Sequence, residues 1–565
     1  MESYEKNASD WEPIRVAIFP MNINEDEQGK YLIQVVLEKA KAKVQNTLKV
    51  RRAKGTLKLA RPCLVRWSGG LHAGKCQSYG PAAYACMSSG LQEIPHAHIQ
   101  EQEVCPTLSE CQILAGGPGI PNADLALYVN IVDCGLGISG TQAYATACNM
   151  DENDKPVSGV INFCNGRIDT RPEKLQEEVQ TALHEIIHVL GFSFDRIPFY
   201  RFPDGRPRTE RGPNGRPLWR GDYRDILRPN SINRKIAEEH GVVKIENRSG
   251  TETVFLSLPS VTSFVKQHFG CADAPGAALE RTGGDGTAGS HWEDSFFRFE
   301  LMTGRIKKQR TVLSGLTLAL LEDTGWYRTQ PEQAEILHWG KGSGCTLFAE
   351  RCLQQMEQFP AVLAGSIPGY FCESKNDQCT WDFQGFGRCL LPEEAMNFSL
   401  TASELDSLNS FLAETCPVVK EYTDSDCTVE LSDGVNRNYL GETYGIESRC
   451  FHNAPLANKW RGTRRPGCYK RACVQVDNGS SLQMYVWVGN KLVNCTAGGK
   501  HTVEGFQNDF ECPDPKFIPR YCRPSQTQED WAPFTSVAEI PSDFGVSREW
   551  QSLWLLLSLI THLLK

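Results

Sequence analysis

The chain lacks any block of five like charges, any apolar run long enough to cross a bilayer, and any internal repeat of fixed period. The first absence, with 59 basic against 68 acidic side chains and a net charge of −9, removes the electrostatic footprint of a nucleic-acid-binding protein. The second leaves the 12-residue apolar tail 553–564 (LWLLLSLITHLL) short of the roughly 20 residues a spanning helix needs. The third excludes solenoids and propellers. Residues 1–20 also lack the basic-then-apolar pattern of a secretory leader. What is present is a 565-residue chain, 40% hydrophobic and 22% charged, long enough for two to four domains with real cores.

Cysteine is what the chain has in excess: 22 residues, 21 of them between Cys76 and Cys522. An even number spread over long loops reads as a disulfide framework made in an oxidising compartment. N-x-S/T sequons at Asn7, Asn247, Asn397, Asn478 and Asn494 fit that compartment. The expectation is an extracellular or cell-surface protein whose leader precedes the given sequence. Nine cysteines lie from Cys63 to Cys271 and thirteen from Cys345 to Cys522, both odd, so full pairing demands a bridge across the gap. Cys271 with Cys345 is the expected pair.

Hydrophobic spacing predicts a strand over 14–19 and then an amphipathic helix through Leu32, Val35, Val36, Ala40, Val44 and Leu48. A strand over 124–133 is apolar on both faces, as one covered on both sides should be. A helix is predicted over 171–190, opened by a capping box of Thr170 and Glu173 and closed by Gly191 in a left-handed conformation. Residues 196–290 are Arg-, Pro- and Gly-rich and predict insertion loops with little regular structure. SGLTLALLEDTGWY at 314–327 reads as helical, and thirteen cysteines follow. The expected divisions are 1–195, 196–344, a cysteine-rich 345–525 and a tail 526–565.

Inside the predicted helix stands His184-Glu185-Ile186-Ile187-His188. Imidazoles at i and i+4 share one helix face and can reach one metal, while the glutamate between them can deprotonate a water on it. The apolar flanks Leu183, Ile186, Ile187, Val189 and Leu190 make unpaired His and Glu costly there. A catalytic zinc takes three protein ligands and leaves a fourth position open. In the pattern H-E-x-x-H-x-x-G-x-x-H the third comes from a histidine after a turning glycine. Here Gly191 is in place but Phe194 stands where that histidine should be. Of the ten remaining histidines, His291 follows the glycine-rich GGDGTAGS and is a candidate, with an ordinary core or surface role as the alternative. Met302, in Phe299-Glu300-Leu301-Met302-Thr303-Gly304, follows it at a distance suited to an apolar floor under the metal, or simply fills a core gap.

The chain resembles the leishmanolysin family of metallopeptidases, in particular its invadolysin-like branch. The resemblance lies in DWEPIRVAIF, ADLALYVNIVDC, ATACNMDENDKPVSGVINFCNGRI, TALHEIIHVLGFS, GSHWEDSFFRFELMTG and LALLEDTGWY, and C-terminally in FCESKNDQCTWDFQGFGRC and YGIESRCF. These segments run in order over about residues 10 to 455.

The resemblance implies an α+β fold: a metzincin-like zincin domain of twisted sheet plus active-site helix, a large insertion, and a disulfide-rich C-terminal region. It implies one Zn2+ on His184, His188 and His291, Glu185 as general base, Met302 as the Met-turn residue, and protein or peptide substrates. Family members carry a leader and a pro-segment whose cysteine blocks the zinc; Cys63 follows the first strand and helix, where a disulfide is the better expectation. Some members carry a glycolipid anchor, which the 553–564 tail fits as a cleaved signal behind Ser542–Gly545. The expected function is a zinc endopeptidase at the cell surface or in the extracellular space. The rival is a catalytically silent adhesion protein on the same fold, disfavoured because His184, Glu185, His188 and His291 are all intact.

Overall fold

The computed structural model describes residues 11–522 apart from 53–54, 62, 80–93, 135–140, 213–214, 219–225, 229–230, 249–250, 282–286, 305–310, 346–371, 373–375, 391–417, 431–439, 459–463 and 477–480. Two compact units divide the chain, residues 1–370 with 391–417 and residues 371–390 with 418–565, and each is taken separately.

In the first unit β1 (Val16–Asn22) leads into one continuous helix, α1, made of Glu27–Tyr31, a π-wound Leu32–Leu37 and Glu38–Thr47. The Asp26 carboxylate caps it by accepting the Gly29 N–H. Leu32, Val36, Ala40 and Val44 are buried, which is the apolar stripe the spacing predicts. Strands β2 (Leu125–Val132), β3 (Ala143–Met150) and β4 (Pro156–Cys164) complete a sheet of order β1-β2-β4-β3. Its first three members are parallel and β3 is an antiparallel edge. All of β4 and the first six residues of β2 are buried, as parallel strands covered on both faces are. Asn130 and Asn162, in register on these two strands, satisfy each other at 2.9 Å within that apolar layer.

Helix α2 (Leu175–Leu190) carries the His-Glu-Ile-Ile-His segment and lies directly on the sheet. Gly159 of β4 permits this, because a Cβ there would stand 2.3 Å from Val189 of the helix. The start of α2 differs from expectation. A tight 3-10 turn, Pro172–Lys174, precedes it, and the residues at the two N-caps are Arg171 and Lys174 in place of the expected Thr170, neither with a side-chain cap. Asp169 takes over locally, its carboxylate accepting the Arg171 N–H at 3.1 Å and its own N–H reaching Glu178 Oε1 at 3.1 Å.

The segment after α2 is more regular than its composition suggests. α3 (Ile232–Glu239), the hairpin β5 (Val243–Arg248) and β6 (Thr251–Leu256), and α4 (Pro259–Phe269) fold within it. Val261 and Val265 anchor α4, Phe255 and Leu256 anchor the hairpin, and Gly and Pro outside these short apolar runs hid them. Before α3 a heptapeptide occurs twice, as 201–207 (RFPDGRP) and 211–217 (RGPNGRP). Both copies turn alike: Phe202 N–H bonds Arg206 O, and Gly212 N–H bonds Arg216 O. Cys271 is bonded to Cys345, the pair expected to bridge the gap, and Cys63 to Cys76. Helix α5 (Gly315–Asp323) packs on α4, and its Asp323 carboxylate accepts the Ser260 and Val261 N–H groups at the head of α4.

The second unit is strand-rich and stapled by Cys372–Cys389, Cys379–Cys450, Cys427–Cys468, Cys473–Cys522 and Cys495–Cys512. Its core gathers Phe383, Phe451, Tyr469, Phe510 and Tyr521. Among the described residues no helix is long and apolar enough to cross a membrane, and the 553–564 tail lies outside them.

Burial pushes the Glu178 carboxyl up to about 7 from its ordinary 4.5. A carboxyl whose folded-state pKa is raised contributes its stability fully below the unfolded value and loses it as pH rises through the folded value. Glu178→Gln, which keeps the acceptor for Asp169, is expected to raise stability at pH 8 by about 2–3 kcal/mol and change little at pH 4, as read by calorimetry at both values.

Candidate metal centre

His184 and His188, one turn apart on α2, meet His291 from the far side of the insertion. Their Nε2 atoms stand 3.0, 3.1 and 3.2 Å apart. Each ring is aimed by its other nitrogen. Nδ1 of His184 faces Leu301 O at 2.7 Å, that of His188 faces Phe192 O at 2.7 Å, and that of His291 faces Thr287 O at 2.8 Å. A carbonyl oxygen can only accept, so Nδ1 carries the proton in all three rings and Nε2 carries the lone pair.

Three lone pairs converging at this distance cannot bond one another, and a shared cation is what they fit. Two nitrogens each about 2.0–2.1 Å from one tetrahedral zinc stand about 3.3 Å apart, close to the separations here. Burial, and then the neighbouring imidazoles, push all three pKa values down to about 3, so the rings stay neutral and available as ligands. The other histidine cluster, His72 with Cys105 and Cys111, offers no thiolate because the two cysteines form a disulfide.

Phe194 occupies the position of the compact third ligand and serves it in another way. Its N–H donates to Ser290 Oγ at 3.2 Å, so the backbone that would have carried a histidine docks the segment carrying His291. Gly191 makes the turn possible. At φ +132° and ψ 0° its φ is positive but it lies outside the left-handed helical region expected for it, and a Cβ would meet the Trp326 ring at 2.8 Å. Residues 283–286, the first half of the glycine-rich GGDGTAGS approach to His291, lie outside the described residues, while Thr287–Ser290 lie within them. His240 and His268 are engaged elsewhere, with Ile236 O and Trp339 O respectively.

Glu185 follows His184 on the helix and is 5% exposed. Its Oε2 is buried without a hydrogen-bond partner among the described residues, and burial pushes its carboxyl up to about 8. A buried carboxyl oxygen left without a donor is expensive unless something outside the polypeptide faces it. Met302 is completely buried, and its carbonyl accepts the N–H of Trp292, the residue after His291. Leu301, just before it, supplies the carbonyl that aims His184.

A family profile described as leishmanolysin matches residues 96–202 and 232–522. The chain belongs to the leishmanolysin family. It is therefore a metallopeptidase, a metal-dependent hydrolase of protein substrates. It is similar to the leishmanolysin-like peptidase of Drosophila melanogaster, 31% identical over 522 residues, which cover 84% of this chain and 74% of that one. The leishmanolysin-like peptidase of Caenorhabditis elegans is 28% identical, over 79% of this chain and 73% of that relative. The ciliated left-right organizer metallopeptidase of Xenopus laevis is 24% identical, over 85% and 59%. Within the family, the unmatched stretch 203–231 holds most of the twin heptapeptide turns.

Spacing in the sequence gives no sign of Ser290, of the three carbonyls that aim the imidazoles, or of the buried Glu300. Ser290, Leu301 and Glu300 bond partners distant in sequence, Phe194, His184 and Thr317, and the Phe192 and Thr287 carbonyls leave no side-chain pattern to read. Gly191→Ala forces a side chain into a positive-φ site against Trp326 and is expected to lower stability by about 2–4 kcal/mol in urea unfolding.

Proposed function

We propose that the chain is a zinc endopeptidase of metzincin type, in which His184, His188 and His291 hold one Zn2+ through Nε2 and Glu185 is the general base. Residues 1–195 then supply the helix with two ligands and the base, and 196–344 the third ligand and the Met-turn at Met302. The observation that carries the reading is the meeting of three Nε2 lone pairs within 3.2 Å of one another, each ring held by its own Nδ1–H. When bound, zinc supplies Lewis acidity that polarises the scissile carbonyl and lowers the pKa of an attacking water.

The rest falls to the chain. Glu185 Oε2 takes a proton from the water that attacks the carbonyl carbon and hands it to the leaving amine, giving one carboxylate and one amine product. The Glu185 Oε2, with no hydrogen-bond partner among the described residues, is free to face that water. A location outside the cell or on its surface is supported by the disulfide framework and by the exposed sequon residues Asn247 and Asn494. A glycolipid anchor at the C-terminal tail is part of the same reading.

Glu185→Ala is expected to retain about one zinc per chain and lose at least a hundredfold in cleavage of a denatured protein. His291→Ala is expected to lose zinc at least tenfold more readily, while His240→Ala and His268→Ala keep it. Zinc content by mass spectrometry beside a proteolysis assay checks both. A wild-type chain that binds zinc and cleaves nothing would leave the silent adhesion reading in its place.

A further inference from the structure

On the zinc reading above, we infer that Glu300 is a positioning residue: its buried carboxylate locks the Leu301–Met302 turn and so holds His184 and His291 in register across the insertion. Glu300 is completely buried. Its Oε2 accepts the Met302 N–H at 2.5 Å. Its Oε1 accepts Thr317 Oγ1–H at 2.6 Å, Ser314 Oγ–H at 3.1 Å and Ser314 N–H at 3.3 Å. One oxygen thus grips the turn and the other grips the first turn of α5.

The turn so gripped reaches two ligands. Leu301 O takes the Nδ1–H of His184 at 2.7 Å. Met302 O takes the backbone N–H of Trp292 at 2.8 Å, beside His291, and the Trp292 indole N–H reaches Thr317 Oγ1 at 3.0 Å. Thr317 therefore joins the carboxylate to the His291 strand by a second route. Phe299, just before, sits at φ +71°, a conformation that a bulky residue holds only when its surroundings over-determine it. An apolar side chain could fill the space, but only a carboxylate offers acceptors to donors on both sides.

Glu300→Gln tests this with almost no change of shape. An amide has one acceptor oxygen: turned to Met302 it leaves the Ser314 N–H without an acceptor, and turned to Ser314 and Thr317 it sets its NH2 against the Met302 N–H. In the purified full chain, Glu300→Gln is expected to release zinc to a chelator about tenfold faster at 25 °C and to lower kcat with KM near the wild-type value. Leu37→Ala, a core truncation in α1, gives the comparison for stability loss alone and should leave zinc release unchanged. If Glu300→Gln does not fold, Thr317→Val, which removes only the relay hydroxyl, is expected to speed release about threefold. Release within a factor of 1.5 of wild type in whichever variant folds, or equal acceleration in Leu37→Ala, overturns the role of Glu300. A wild-type chain that takes up no zinc overturns instead the reading on which it rests.

Discussion

Three neutral imidazoles turning their lone pairs onto one point in a buried site is the constraint on which the rest of the first unit depends. Left to themselves, the rings would rotate away or take up protons, and both escapes are closed. Burial holds the rings neutral, and a backbone carbonyl takes the Nδ1 proton of each. Two of those carbonyls, Phe192 and Thr287, lie four residues from the rings they aim, but Leu301 is 117 residues from His184, so the centre cannot form until α2 and the segment after the insertion are both in place. The rigid part of this assembly is the seat of α2. Gly159 lets the helix lie on β4 with no side chain between, which ties the positions of His184 and His188 to the sheet.

Legibility in the sequence follows how local the physics is. The helix bearing His184, Glu185 and His188 has its histidines, its stripe and its closing glycine within twenty residues, so spacing alone finds it. The buried strand β2 is readable too because covering both faces leaves a nearly unbroken apolar run, whereas β4, equally buried, carries Ser158, Gly159 and Asn162 and gives no such run. Cysteine parity demands a bridge across the gap because a counting argument is indifferent to distance, and the flanking pair Cys271–Cys345 supplies one. His291 is different: its geometry comes from Ser290 bonding the Phe194 backbone and from Thr287 aiming its ring, and neither leaves a periodic trace. The start of α2 misled for the same reason, since a 3-10 turn looks like a helical turn in composition. In the insertion, Arg, Pro and Gly at the turns outweighed the short apolar runs of α3, the β5–β6 hairpin and α4.

The long insertion between Gly191 and His291 would be a liability if it behaved as a free loop. Closure entropy grows only slowly with length, so the thermodynamic cost of a hundred residues is modest, but a free loop would leave His291 wandering. Here the two ends of the excursion are fixed to each other, Phe194 N–H to Ser290 Oγ, just before His291 is reached. Between them the chain folds on its own hairpin and helices, and Asp323 of α5 caps α4 so that this block also leans on the element that anchors Glu300. The stretch 203–231, which the family profile does not match, lies within the excursion, and its twin turns close on themselves through Phe202–Arg206 and Gly212–Arg216. A self-closed turn adds surface without transmitting strain to the histidines. The geometry of the centre is thereby separated from the length of chain between its histidines.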